Sequence, residues 1–97
     1  MELRFEWDEN KNAINIRKHG VSFEEAAMVF SDTSRYEMYD KIHSLIEKRW
    51  IVIGIAGWKV LKVSFTERNG VTRIISARKA DKNETEEYYY GYSKKNN

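Results

Sequence analysis

The sequence predicts an α+β fold: a small antiparallel sheet packed by two N-terminal helices and one C-terminal helix. Three observations predict it. Residues 49–78 are dense in β-branched and aromatic residues, and Gly57 and Asn69-Gly70 punctuate them as turns, which is the pattern of a three-stranded meander. Residues 8–32 carry helix start and stop residues around an apolar stripe. Residues 81–90 open on an aspartate with a glutamate three positions later, a further helix start.

Each element has its own justification. Leu3, Phe5 and Trp7 alternate with Arg4 and Glu6, as in a short half-buried strand. Asp8 can cap a helix through about Lys18, and Gly20 follows as a helix-ending residue. Ser22 and Glu25 form a capping box, after which Phe23, Ala26, Ala27 and Phe30 fall on one stripe of a helix ending near Ser31-Asp32. Residues 33–48 are weakly patterned. Ser34–Met38 suits a strand and 40–47 a loop, in which Ile42, Leu45 and Ile46 allow one helical turn. Strands Arg49–Ile55, Trp58–Thr66 and Val71–Arg78 follow. The last helix runs from Asp81 through Tyr88–Tyr90, and the tail from Gly91 onward is expected to fray.

Composition narrows the class. Ninety-seven residues make a single domain, 1–97, and a hydrophobic content of 41% argues against disorder. The absence of cysteine excludes disulfides and thiolate metal sites and fits a reducing cytoplasm. The two histidines, His19 and His43, lie in different segments, so neither a metal nor another cofactor is expected. The N-terminus lacks the basic and apolar regions of a signal peptide. The longest apolar run, Trp50–Trp58, falls far short of the roughly 20 residues of a membrane span. A cytoplasmic protein without membrane contact is expected.

Net charge is only +2, but it is segregated. Lys11, Arg17 and Lys18 share one acid-free segment, and Arg68, Arg73, Arg78 and Lys79 share another, with Glu67 just before it. Strand alternation places Leu61, Val63 and Phe65 toward the helices. It leaves Lys62, Ser64, Thr66, Thr72, Ser76 and Arg78 on an open polar face, with Arg73 on the side opposite Arg78. Hydroxyls beside cations suit phosphate contacts. A sheet can also carry such a face merely because water covers it.

Two segments carry a resemblance. FEWDENKNAINIRKHGVSFEEAAMVF, residues 5–30, and TRIISARKADKNETEEY, residues 72–88, resemble the BrnT family of bacterial type II toxins. In the first, Phe5, Trp7, Asp8, Lys11, Asn15 and Lys18 through Ala26 fit the family pattern. In the second, preceded by Thr66-Glu67-Arg68, residues Arg73 to Ala80, Glu84 and Tyr88 fit it. The middle, residues 33–50, matches poorly. The resemblance implies a RelE-like fold and a ribonuclease that arrests growth by cutting RNA. It also implies a BrnA-like antitoxin that binds the toxin in a hetero-oligomer and alone contacts operator DNA.

Candidate roles follow. Metal-free RNA cleavage activates a 2′-hydroxyl, stabilises the phosphorane and protonates the leaving 5′-oxygen. Glu67, the one acid among the arginines, is the candidate base, or it pairs with Arg68 or Arg73 at the turn. Arg73 and Arg78 are candidate phosphate clamps in the catalytic set, since a guanidinium can bind two phosphate oxygens. Arg73 can instead pair structurally near the strand start. Lys11, Arg68, Lys79 and Tyr88 are candidate RNA contacts. His19 suits helix capping better than acid–base work. A non-catalytic module binding a partner or nucleic acid through the same basic face is the other function class.

Overall fold

A computed structural model describes residues 3–95, with side chains described through Gly91. Strands β3 (Trp50–Ala56), β4 (Lys59–Arg68) and β5 (Val71–Lys79) form the expected meander. Gly57 turns the first hairpin at φ +63°. Asn69 and Gly70, both at positive φ, turn the second, the conformation a two-residue hairpin needs for its strands to keep their twist. Strand β2 (Tyr36–Tyr39) pairs antiparallel with β3 at one edge. Strand β1 (Phe5–Glu6) pairs parallel with β5 at the other, giving the order β1-β5-β4-β3-β2. The fold is α+β with a mixed, five-stranded sheet. The departure from a purely antiparallel sheet lies at β1: helices α1 and α2 intervene before the next strand, so β1 reaches β5 by a long crossover.

Helix α1 (Glu9–His19) begins where the Asp8 carboxylate accepts from the amides of Asn10 and Lys11, and ends at Gly20 in the left-handed region. Its hold on the sheet is polar. The Asn15 side-chain amide donates to the carbonyls of Val21 and Ala77, at 2.8 and 2.7 Å, and accepts from the Ala77 amide at 3.2 Å. One side chain thus continues the β5 edge past the end of β1. Buried Asn12 accepts from the Phe23 amide and donates to Glu24, tying α1 to α2.

Helix α2 (Phe23–Met28) opens with the expected reciprocal Ser22–Glu25 capping box and tightens into a 3₁₀ turn, Val29–Ser31. Its apolar face, with Val21, Phe23, Ala26, Val29 and Phe30, packs on Val52, Leu61, Val63, Phe65, Ile74 and Ala77. Phe30 bridges Phe5 and Phe65 at centroid distances of 5.2 and 5.0 Å. Gly54 permits the close approach: a Cβ there would lie 2.8 Å from Val29 Cγ1.

Helix α3 (Lys82–Lys95) starts at the Asp81–Glu84 reciprocal cap and continues through Gly91. Residues 96–97, at the end of the tail expected to fray, lie outside the described residues. Residues 40–49 form irregular turns, and the helical turn allowed at Ile42, Leu45 and Ile46 is absent there. All three side chains face solvent.

Candidate nucleic-acid interface

The sheet has two faces, and cross-strand register assigns them. Leu61, Val63 and Phe65 look into the core opposite Ala77 and Ile74. Lys62, Ser64, Thr66 and Arg68 point the other way. The register of β5 contains an irregularity that alternation alone misses: Ser64 pairs with Ser76, but Phe65 pairs with Ile74, so Ile75 is an extra residue in a bulge. The bulge resets the alternation. Arg73 lies opposite Thr66 and Arg78 opposite Lys62, so both arginines project from the same face. The expectation that they face opposite sides is corrected by this one residue. Thr72 moves the other way, buried on the core side instead of joining the polar face.

Along that face, three cross-strand pairs follow one another: Thr66 with Arg73, Ser64 with Ser76, and Lys62 with Arg78. The outer pairs are four β4 residues apart, roughly 13 Å at about 3.3 Å per residue. The Thr66 hydroxyl is spent on the Lys48 carbonyl, at 2.6 Å. Ser64 is half-buried and Ser76 exposed.

The cations of this face are met by carboxylates from other elements. Arg73 lies 3.5 Å from Glu6 of β1. Arg68 grips Glu47 through two nitrogens, at 3.0 and 3.1 Å. Arg78 binds Glu84 of α3 the same way, at 2.8 and 3.0 Å, and Lys62 reaches the same carboxylate at 3.4 Å. Burial raises the Glu84 pKa. The Arg78 hydrogen bonds, the Asp81 amide and the charges of Arg78 and Lys62 more than offset this and hold it at about 2. Glu84 in turn pushes the Arg78 pKa up. Helix α3 therefore crosses one end of the face, and Ile53 is buried there outside the main core.

The other expected residues scatter. Glu67 lies opposite Thr72, on the side away from the arginines, exposed and without an ion pair or hydrogen bond. The carboxylate placed against Arg73 is Glu6. Lys79 alternates away from Arg78, with its Nζ 5.8 Å from the Trp58 ring centroid. Lys11 is exposed on α1, apart from the sheet face. Tyr88, expected on RNA, is buried at 4% exposure and donates to Asp32 at 2.5 Å, while its neighbours Tyr89 and Tyr90 are exposed. The apolar spacing of a single helix could not tell which of three consecutive tyrosines turns inward. His19 ends α1 at the surface.

Two residues without an expected role stand out. Arg49 has a buried Nε with no hydrogen-bond partner, beside the turns of 42–47. Trp58 is 80% exposed at the tip of the first hairpin. A tryptophan next to a turn glycine was the available signal. Among the described residues, no three His, Asp or Glu side chains gather as a metal-binding group.

A comparison with known families decides the lineage. The family model of the ribonuclease toxin BrnT, of type II toxin-antitoxin systems, matches residues 7–84. The chain belongs to the BrnT family. The match runs from Trp7 to Glu84, so it takes in the bulged arginine strand and the carboxylate that binds Arg78. No curated protein matches the chain. Membership makes this a ribonuclease toxin of a type II system and implies an antitoxin partner. Much of the N-terminal BrnT resemblance is architectural here: Asp8, Gly20, Ser22 and Glu25 cap helices, and Asn15 ties α1 to β5. No helix among the described residues is long and apolar enough to cross a membrane.

Proposed function

We propose that this BrnT-family toxin cleaves RNA by metal-independent acid–base chemistry on the sheet face that carries Lys62, Arg73 and Arg78. The observation that supports this most is the bulge at Ile75, which aligns two arginines and a lysine around the hydroxyls of Ser64 and Ser76. A single strand laid along that face would exchange protein carboxylates for its own phosphates. Arg73 is the better clamp. Its bond to Glu6 is long and partly exposed, the kind of pair worth at most about 1 kcal/mol. Arg78 is held more tightly and would act together with Lys62.

In the reaction, a base takes the 2′-hydroxyl proton and the 2′-oxygen attacks phosphorus. The P–O5′ bond then breaks, and the departing 5′-oxygen takes a proton. The arginines stabilise the charge that develops on the phosphorane. Glu6, beside Arg73, and Glu67, at the hairpin tip, are the two candidate bases. Arg68 extends the electrostatic track toward the hairpin tip, while Lys79 and Lys11, off the arginine face, add positive charge along the path of a longer strand. Tyr88 is left out because its side chain is inside.

The rest of the reading is a RelE-like single domain spanning residues 1–97, acting in the cytoplasm. A BrnA-like antitoxin would inhibit it in a hetero-oligomer and alone would contact operator DNA. A second reading, a partner-binding module without cleavage, draws on the carboxylates already paired with Arg68, Arg73 and Arg78. Purified protein assayed on RNA, with and without ribosomes and with EDTA, separates the two. Cleavage that survives EDTA supports the first reading. Cleavage abolished by EDTA overturns the metal-free mechanism, and tight antitoxin binding with no cleavage in either setting supports the second.

A further inference from the structure

At the end of the sheet remote from the Asn69-Gly70 turn, α3 and the β3–β4 hairpin flank an open cleft of about 210 Å³. Its walls include Trp58, Tyr89, Lys59, Lys79 and Thr85. Trp58 is 80% exposed and Tyr89 49%. A large aromatic side chain is ordinarily drawn inward by the area it can bury, and Trp7 and Trp50 are packed against the core. Trp58 instead stands exposed at a tight turn, just after Gly57 at φ +63°.

Its neighbours are cationic. Lys79 Nζ lies 5.8 Å and Lys59 Nζ 5.6 Å from the indole centroid. Lys59 is shared with Glu25 at 2.9 Å, but Lys79 has no carboxylate partner. An exposed indole, a second ring, a lysine ammonium without a carboxylate partner and a hydroxyl match the chemistry of an unpaired nucleotide. The base stacks on the ring, and the phosphate meets the lysine. Val60 and Ala80 add only small aliphatic surface to the cleft. Aromatic rings also anchor protein partners, and it is the lysine ammonium lacking a carboxylate partner beside them that favours a phosphate-bearing ligand.

We infer that the Trp58–Tyr89 cleft is a nucleotide-binding subsite for single-stranded RNA, separate from the arginine face, in which Trp58 stacks on a base and Lys79 meets a phosphate. The inference rests on the RNA reading above and extends it. Lys79 follows Arg78 directly in the chain, but its side chain leaves from the opposite side of the sheet. A strand bound to Arg78 would therefore have to pass around the end of β5 to enter the cleft. The subsite recognises a ring face, which every base has, so it adds affinity with little sequence preference.

The test uses the full-length protein and a 2′-O-methyl oligouridine, which binds but lacks the 2′-hydroxyl that cleavage needs. Trp58→Ala should weaken binding about 5- to 150-fold, the loss of about 1–3 kcal/mol typical of one stacked base, with the melting temperature unchanged. Trp58→Phe should keep most of the affinity. It should also remove the quenching of tryptophan fluorescence that RNA causes in the unaltered protein. Lys79→Ala should lower the slope of log affinity against log salt by about 0.7. If the unaltered protein binds the oligonucleotide and Trp58→Ala binds equally well, the subsite is overturned and the arginine face stands. If Trp58→Ala weakens only antitoxin binding, the cleft belongs to the protein partner and the inference is overturned. If the unaltered protein binds no RNA, the RNA reading itself falls.

Discussion

Glu84 shows how single residues set this molecule's behaviour. Its side chain is 17% exposed and its pKa sits at about 2, against an ordinary 4.5. The folded-state value is depressed, so the stabilisation is present above about pH 4.5 and is lost as pH falls toward 2. The size is about 3 kcal/mol at 1.36 kcal/mol per unit, shared among Arg78, Lys62 and the Asp81 amide. Chemical denaturation at stepped pH should show stability dropping through that window, and Arg78→Gln should flatten much of the drop. An unchanged acid limb in Arg78→Gln would mean the pair does not hold α3. The candidate bases are separable at the same scale. Glu6→Gln should slow single-turnover cleavage roughly 10²–10⁴-fold if Glu6 is the base, while Glu67→Gln leaves it near normal. The reverse ranking would assign the chemistry to the hairpin tip. Some of these residues were legible in the sequence: Asp8, Ser22 and Glu25 cap helices through neighbours two or three positions away. The Arg78–Glu84 and Tyr88–Asp32 contacts were not, because they depend on where α3 lands, which no local spacing encodes.

At the scale of elements, the meander and both N-terminal helices were legible because their turns and caps are written in Gly57, Asn69-Gly70, Gly20 and Ser22. The polar stripe that docks α1 was not, since no local spacing reveals the backbone partners of Asn12 and Asn15 on α2 and β5. The bulge at Ile75 also escaped sequence reading: strict alternation is the only guide a sequence offers, and one extra β-branched residue leaves no mark on it. Yet that residue brings Arg73 and Arg78 together. The 3₁₀ turn against β3 depends on Gly54 in a similar way. Gly54→Ala should cost about 1–3 kcal/mol by forcing Val29 and Asp32 away from the strand. Thermal melts with and without the substitution check this, and a neutral result would mean the contact relaxes freely.

The whole molecule is a small mixed sheet with a helical core on one side and a charge-lined face on the other. The cations of that face meet acids from β1, α3 and the 40–49 turns, which limits its field and leaves a polyanion to compete for it. With Lys62, Arg73 and Arg78 as the phosphate contacts, the logarithm of RNA affinity should fall against log salt with a slope of about −2. A slope near zero would remove the phosphate track. Expression of the chain alone should arrest a bacterial host, and co-expression with its antitoxin should restore growth. Harmless expression of a folded product would count against toxicity. The most direct test of the central claim is single-turnover RNA cleavage by Arg73→Ala. The substitution breaks only a long, half-exposed pair, so the fold should hold within about 1 kcal/mol. The account predicts a rate loss of roughly 10²–10³-fold with an unchanged melting temperature. Full activity in a folded Arg73→Ala protein would contradict it.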